Sequence, residues 1–309
     1  MSKKIVFMGT PSFAVPILKN IYQNGFDISA VYTQPPKKSN RGQKLNKSPI
    51  HLFAETLNLE VRVPKNLKDN REEIEFLKKL NIDLVIVVAY GQIIPSNYFE
   101  LSKNNFINIH ASILPKWRGA APIQRSIMNS DTETGISIMK INNKLDQGDI
   151  LDVYKLQIVK NENSQSLADR LSELASVKIC EVIDKIFDGK VNYRSQDNSK
   201  ATYAKKIEKS ESKINWNEKA KKVLAKINGL YPHPGSYFVF NGERYKILKA
   251  EISNSLGEPG FVQNDKLEIC CREGSLKILE IQRQGRNIQK IDEFVLGSSI
   301  KKGIKLNNV

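Results

Sequence analysis

Cysteine is scarce in this 309-residue chain: Cys180, Cys270 and Cys271 are its three copies, and no two of them form a C-x-x-C pair. An odd set without that spacing argues against a disulfide framework and against a cysteine zinc site, and it fits a reducing, cytoplasmic setting. Histidine is equally rare, with three copies and no H-E-x-x-H, so no catalytic metal is expected. Neither G-x-G-x-x-G nor G-x-x-x-x-G-K-[ST] occurs, which removes the usual support for dinucleotide or ATP binding. No apolar run approaches the roughly 20 residues that cross a bilayer, so no membrane association is expected. The run after Lys3-Lys4 stops at Gly9-Thr10-Pro11, too early for a secretory signal. Internal repeats and low-complexity segments are also missing.

What is present is a globular composition, 40% hydrophobic and 26% charged, in a chain long enough for two unequal domains. The formal net charge is +15, and it is uneven. Residues 1–200 carry 28 Lys plus Arg against 21 Asp plus Glu, while residues 201–309 carry 20 against 12, about twice the excess per residue. Such an excess attracts polyanions through phosphate contacts and counterion release.

Lys4 to Met8, Asp27 to Gln34, Asp83 to Val88, Phe106 to His110 and Thr134 to Ile141 read as strands, and Asp83 to Val88 has the continuous apolar character of a strand buried on both faces. Helical spacing at Glu72 to Leu80, and a helix after Gly9-Thr10-Pro11 with Ser12 placed to cap it, alternate with these strands. The pattern implies βαβ units in an open, mostly parallel, Rossmann-like sheet. From Gln165 to Phe187 apolar residues recur at three and four, an amphipathic helix closing a first domain over 1–188. Residues 189–209 are polar and aperiodic, as a linker would be. Beyond it, helical Asn217 to Ile227, the turn Gly229 to Gly235 and four short strand candidates predict a smaller β-barrel, OB-like, domain over 210–309.

Open α/β sheets bind ligands beyond the carboxyl ends of their strands, which directs attention to the loops after Met8, Val88 and His110. Asn108 and His110 stand two apart on one strand and share a face. A loop dense in small residues and prolines, Ala111 to Pro122, follows them. Asp146 lies in the turn Leu145-Asp146-Gln147-Gly148-Asp149. Taken singly, each of the three has an ordinary structural explanation.

Their context is more specific. Phe7-Met8-Gly9-Thr10-Pro11-Ser12-Phe13-Ala14-Val15, Val88-Ala89-Tyr90-Gly91, Asn108-Ile109-His110-Ala111-Ser112-Ile113-Leu114-Pro115, Trp117-Arg118-Gly119-Ala120-Ala121-Pro122-Ile123-Gln124 and Leu145-Asp146-Gln147-Gly148-Asp149 resemble, in order and spacing, motifs of the methionyl-tRNA formyltransferase family. Ile214-Asn215-Trp216 and Pro232-His233-Pro234-Gly235 resemble its C-terminal domain, so nearly the whole chain is covered. Ile113, where Leu is commoner, and Gln147, where Thr is commoner, depart from the pattern without removing a reactive group.

The resemblance implies formyl transfer from 10-formyltetrahydrofolate to initiator methionyl-tRNA, with Asn108, His110 and Asp146 as catalytic residues. Asn108 and His110 would aim donors at the developing oxyanion, while Asp146 would orient His110 and take the amine proton directly or through water. The folate is expected along Ala89, Tyr90, Gly91, Ser112, Ile113, Leu114 and Pro115. The stretch Gln34 to Ile50 holds Lys37, Lys38, Arg41, Lys44 and Lys47 with no acidic residue between Asp27 and Glu55. In the family a basic insertion here meets the tRNA acceptor end, with an arginine at the place of Arg41. Lys205, Lys206 and Lys209, with Arg283 and Arg286, are further candidate phosphate contacts, and a monomer is the expected state. Two alternatives stay open: a formyltransferase for a small amine, which would need neither the basic insertion nor the second domain, and a noncatalytic RNA-binding protein, which would not need the Asn, His and Asp set.

Overall fold

The computed structural model describes residues 3–39 and 44–306. By contact density the chain divides into two compact units, one of Met1–Gly119, Thr134–Leu156 and Ala168–Tyr203, the other of Ala120–Glu133, Gln157–Leu167 and Ala204–Val309.

The first unit is built on a seven-stranded sheet: β1 (Lys4–Gly9), β2 (Asp27–Tyr32), β3 (Val61–Arg62), β4 (Leu84–Val88), β5 (Phe106–His110), β6 (Glu133–Lys140) and β7 (Ile150–Gln157). Their spatial order is β7-β6-β5-β4-β1-β2-β3. Strands β5, β4, β1, β2 and β3 run parallel, and β6 joins β5 antiparallel. The all-apolar β4 is buried at every position, as a strand covered on both faces must be. The chain builds outward from β1 to β2 and β3, then returns to lay β4 on the other side of β1. The carboxyl ends of β1 and β4 therefore form the switch point, where loops diverge and leave a crevice.

Local chemistry sets the helices. Helix α1 (Val15–Gln23) carries Pro16 in its first turn, where a missing N–H costs nothing. Ser12, expected to cap it, instead opens a 3-10 turn over Ser12–Ala14, and the α1 N-cap is Ala14 without a side-chain bond. In helix α2 (Pro49–Thr56) the Ser48 hydroxyl accepts the His51 N–H. Helix α3 (Arg71–Leu80) is capped by Asn70, opens with Glu72 and Glu73, ends with Lys78 and Lys79, and stops at left-handed Asn81. The basic stretch after β2 is not a bare loop: Lys37–Ser39 and Lys44–Asn46 pair antiparallel, and α2 begins within it. The long helix Ser164–Phe187 matches the amphipathic pattern of the sequence, and from Ser172 its hydroxyl bonds back to the Phe13 carbonyl.

The second unit is an antiparallel sheet curled as a half-barrel, formed by Ser236–Phe240, Glu243–Ser253, Ser275–Arg283, Glu268–Cys270 and Val262–Asn264 in that order, with Ile288–Lys290 beside Ser275–Arg283. Register shifts near Lys249 mark where the longest pair bends. Val223, Leu224 and Ile227 of the helix Ala220–Gly229 join Trp216, Phe238, Tyr245 and Phe294 in its core. The Phe238 and Tyr245 rings stack at 5.4 Å.

Candidate active site

Three loops are tied together at the switch point. The Thr10 hydroxyl donates to the Tyr90 carbonyl at 2.7 Å, and the Gln34 amide donates to the Gly91 carbonyl at 2.9 Å. The loop after β4 is thereby held with Ala89 at φ +47° and Gly91 at φ +82°. Ala89 is a poor occupant of left-handed space, and such strain persists only where the surroundings over-determine it. The Tyr90 ring turns into the core, where burial first and then the Glu73 charge push its phenol well above the usual range. Its hydroxyl has no partner among the described residues. Ala89 and Gly91 stay exposed, and Ile93 beyond them is 89% exposed.

On the neighbouring β5, Asn108 and His110 lie on one face at the strand's carboxyl end, Asn108 half-buried and His110 buried. His110 Nε2 lies 2.8 Å from the Trp117 carbonyl. A carbonyl only accepts, so Nε2 carries the proton and the Nδ1 edge is left for other work. That edge faces Asp146, with Nδ1 3.7 Å from Oδ2, too long for a direct hydrogen bond. Residues 36 positions apart in sequence thus meet in a partly buried cleft. The Asn108 side chain makes no hydrogen bond among the described residues, so its amide is free to turn to a ligand.

Trp117 holds its carbonyl in place from a left-handed backbone, φ +59°, with its N–H bonded to Thr202 Oγ1 at 2.9 Å. The preceding loop is fastened from inside: Ser112 Oγ donates to the Lys116 carbonyl, Ser137 Oγ on β6 donates to the Ser112 carbonyl, and the Leu114 N–H donates to Ser137 Oγ. Ser112 is fully buried and its hydroxyl is spent within the loop. Leu114 packs on Met139 and Ile150, which leaves Ile113 and Pro115 at the half-buried rim.

Asp146 is also left-handed, at φ +49°. Its Oδ2 accepts the Gly119 N–H at 2.8 Å, and its carbonyl accepts the Gln196 amide at 2.9 Å. The Gln147 side chain makes no hydrogen bond among the described residues. Sequence reasoning singled out Thr10, Trp117, Arg118 and Gly119 only as parts of motifs, and Gln196, in the polar stretch after residue 189, carried no signal at all.

The cations expected to meet RNA fall into two sets. Lys37 is exposed, and Lys47 is held by Glu55, while Lys38 and Lys44 lie in the short hairpin and Arg41 lies outside the described residues. In the second unit Lys205, Lys206 and Lys209 are exposed, with the carbonyls of Lys205 and Lys206 held by Arg125. Arg283 is neutralised by a two-pronged contact with Glu243. No cluster of three or more His, Cys, Asp or Glu suited to a metal occurs among the described residues, and no helix among them is long and apolar enough to cross a membrane.

Comparison with known proteins finds two family models, one described as formyl transferase over residues 3–183 and one as formyl transferase, C-terminal domain, over residues 206–299. The chain is 60% identical over 310 residues to the methionyl-tRNA formyltransferase of Pelagibacter ubique (strain HTCC1062), with 100% of each covered. It is 40% identical to that of Caldanaerobacter subterraneus subsp. tengcongensis, covering 97% of this chain and 98% of the relative. Among solved structures it resembles an N-formyltransferase from Helicobacter canadensis in complex with folinic acid and dTDP-3-aminofucose, with TM-score 0.69, 21% identity and coverage of 90% and 99%. It also resembles HypX from Aquifex aeolicus in complex with tetrahydrofolic acid, with TM-score 0.68, 17% identity and coverage of 98% and 49%. At these identities the structural likeness concerns the fold.

Proposed function

The chain belongs to the methionyl-tRNA formyltransferase family, and from that premise we infer that it transfers the formyl group of 10-formyltetrahydrofolate to the α-amino group of methionine on initiator methionyl-tRNA. The meeting of His110 with Asp146 beside the unengaged Asn108 amide carries this reading, because transfer of an acyl group demands those functions in one place. The surroundings fit a folate: exposed Ala89 and Gly91, the apolar Ile93, and the rim of Ile113 and Pro115 could cover a flat ring, while Ser112 and Leu114 hold the loop in shape.

The donor, when bound, supplies an electrophilic formyl carbon. As the methionine amine attacks, charge grows on the formyl oxygen, and the Asn108 amide turns an N–H donor to it, worth roughly 3 to 4 kcal/mol of barrier in comparable sites. The 3.7 Å between His110 Nδ1 and Asp146 Oδ2 leaves both atoms open to a third group. Asp146, as carboxylate, takes the proton that the amine must lose, directly or through water. That proton passes from Asp146, directly or through water, to the bare Nδ1 of His110, which the Trp117 carbonyl fixes through Nε2, and goes on from Nδ1 to the departing folate nitrogen, so that one N–C bond forms, one breaks and the proton count balances.

Acceptor choice rests on the cations. Lys37, Lys38, Arg41, Lys44 and Lys47 would meet the acceptor end, and Lys205, Lys206 and Lys209 the tRNA phosphates. Formylated folate supplied with charged initiator methionyl-tRNA, deacylated tRNA or an amino sugar nucleotide tests the reading. Formylation of the charged tRNA alone is expected, and formylation of the small amine alone would overturn it. Joint replacement of Lys205, Lys206 and Lys209 by alanine should flatten the salt dependence of tRNA binding while sparing folate binding.

A further inference from the structure

We propose that Gln196 is a positioning residue for formyl transfer, holding Asp146 in register with His110 through an anchor on the buried Arg118. The proposal rests on the reading of Asp146 as the reacting carboxylate.

Asp146 occupies left-handed backbone space, which Asp tolerates better than most non-glycine residues but not freely, so contacts that hold the turn matter. Gln196 supplies much of the hold. Its Nε2 donates to the Asp146 carbonyl at 2.9 Å and to the Gly148 carbonyl at 2.7 Å, bracketing the turn on both sides of Gln147. Its Oε1 accepts from Arg118 Nε at 3.0 Å and Arg118 Nη2 at 2.7 Å. A guanidinium only donates and a carbonyl only accepts, so the amide has one workable orientation and cannot flip.

Arg118 is 1% exposed and makes no ion pair among the described residues; its other side-chain partner is Asn198 Oδ1, at 2.8 Å. A buried cation with amide oxygens as its partners is expensive to keep, and replacing it with an apolar side chain would be the cheaper way to fill the space. Its chemistry is used here. The next residue, Gly119, donates its N–H to Asp146 Oδ2 at 2.8 Å, so Arg118 and Gly119 act on the two ends of Asp146, one through Gln196 on the backbone and one on the carboxylate. The four residues close a ring, and the ring sets the direction in which Oδ2 faces His110 Nδ1. Gln196 touches none of the reacting atoms.

Gln196→Glu separates positioning from folding. It keeps the size and places a carboxylate on Arg118, which preserves or strengthens the anchor, but it deletes both N–H donors to the turn. Expected is a loss in kcat on the order of 10²-fold, the scale of a displacement of about 1 Å in a reacting group. KM for donor and tRNA should stay within about threefold, as for an interaction felt only in the transition state, and Tm should fall by no more than a few degrees, because the carboxylate on Arg118 offsets part of the lost turn bonds. Wild-type kcat in Gln196→Glu beside an inactive Asp146→Asn overturns the positioning role and leaves Asp146 standing. Near-normal kcat in Asp146→Asn overturns the role of Asp146 itself. A Gln196→Glu protein whose activity falls only in step with its Tm marks a purely structural residue and also overturns the proposal.

Discussion

Gly148 offers a sharp test of how closely the Asp146 turn must lie against the sheet. Its backbone is not in left-handed space, so conformation does not require glycine there; distance does. A Cβ at this position would lie 1.8 Å from the Lys140 carbonyl oxygen, against the 3.0 Å that real Cβ atoms respect. Gly148→Ala must therefore open the gap by the difference, about 1.2 Å. The obstacle is backbone of β6, which is tied on its other side to β5, so the turn must move instead. The Lys140 N–H to Asp149 carbonyl bond at 2.9 Å and the Gln196 bracket both resist that motion. A shift of about 1 Å in a reacting group costs on the order of 10²-fold in rate, and overpacking of this kind costs about 1 to 3 kcal/mol in stability. Single-turnover formylation, with Tm from thermal unfolding, measures both. Gly297→Ala is the control, because nothing lies within 4 Å of a Cβ there. Wild-type turnover in Gly148→Ala would refute the claim that the seat of Asp146 against β6 governs the reaction.

Further outcomes follow from other contacts. Asn108→Ala should lower single-turnover kcat by about 10²- to 10³-fold, the effect of removing one oxyanion donor, with donor KM little changed; an unchanged rate would take Asn108 out of the reaction. Glu73 is 5% exposed and holds Tyr32 Oη at 2.6 Å and Arg62 Nη2 at 2.8 Å; Glu73→Ala takes the acceptor from the buried Tyr32 hydroxyl while Arg62 keeps Glu72 at 2.8 Å, and should cost about 1 to 3 kcal/mol in denaturant unfolding. The hydrogen bonds from Arg125 hold the Glu211 carboxyl below the usual carboxylate range. A depressed folded pKa contributes stability that is present above the unfolded value of about 4.3 and is lost as pH falls through the lower folded value. Glu211→Gln should therefore lower Tm at pH 7 and show a flatter decline below about pH 4.3 than the parent chain; parallel acid limbs would refute the linkage. Burial pushes the Cys271 thiol up to about 12, and with Cys270 also buried the native chain should leave both unmodified by a maleimide at pH 7.

The parts that sequence alone determined are those whose cause is local. Asp83 to Val88 could be read as a doubly buried strand because Leu84–Val88 is a short, continuous, largely β-branched apolar run, and Phe106–His110 has the same ends in both views. The helix Ser164–Phe187 followed from apolar spacing, since a face that must be buried leaves a period in the residues. The pairing of Asn108 with His110 was legible for the same reason, two positions on one strand. Strand β7 was not, because Ile150–Gln157 lies at the edge of the sheet and alternates weakly, with only Ile150 and Leu151 buried. Nor was the fate of Ser12, which opens a 3-10 turn ahead of α1 and so lies two residues short of the N-cap position.

Tertiary structure alone brought His110 to Asp146, turned Nε2 to the Trp117 carbonyl, and placed Gln196 between Arg118 and the Asp146 turn, a contact across 78 residues from Arg118 to Gln196. Polar contacts of this kind leave no period in the sequence: they need one donor and one acceptor at about 3 Å, and any Gln in any polar segment could supply them. Their partners are chosen by where the sheet order carries the loops. The sequence could therefore propose reacting groups by motif, while the geometry that brings those residues together depended on the chain having closed on itself.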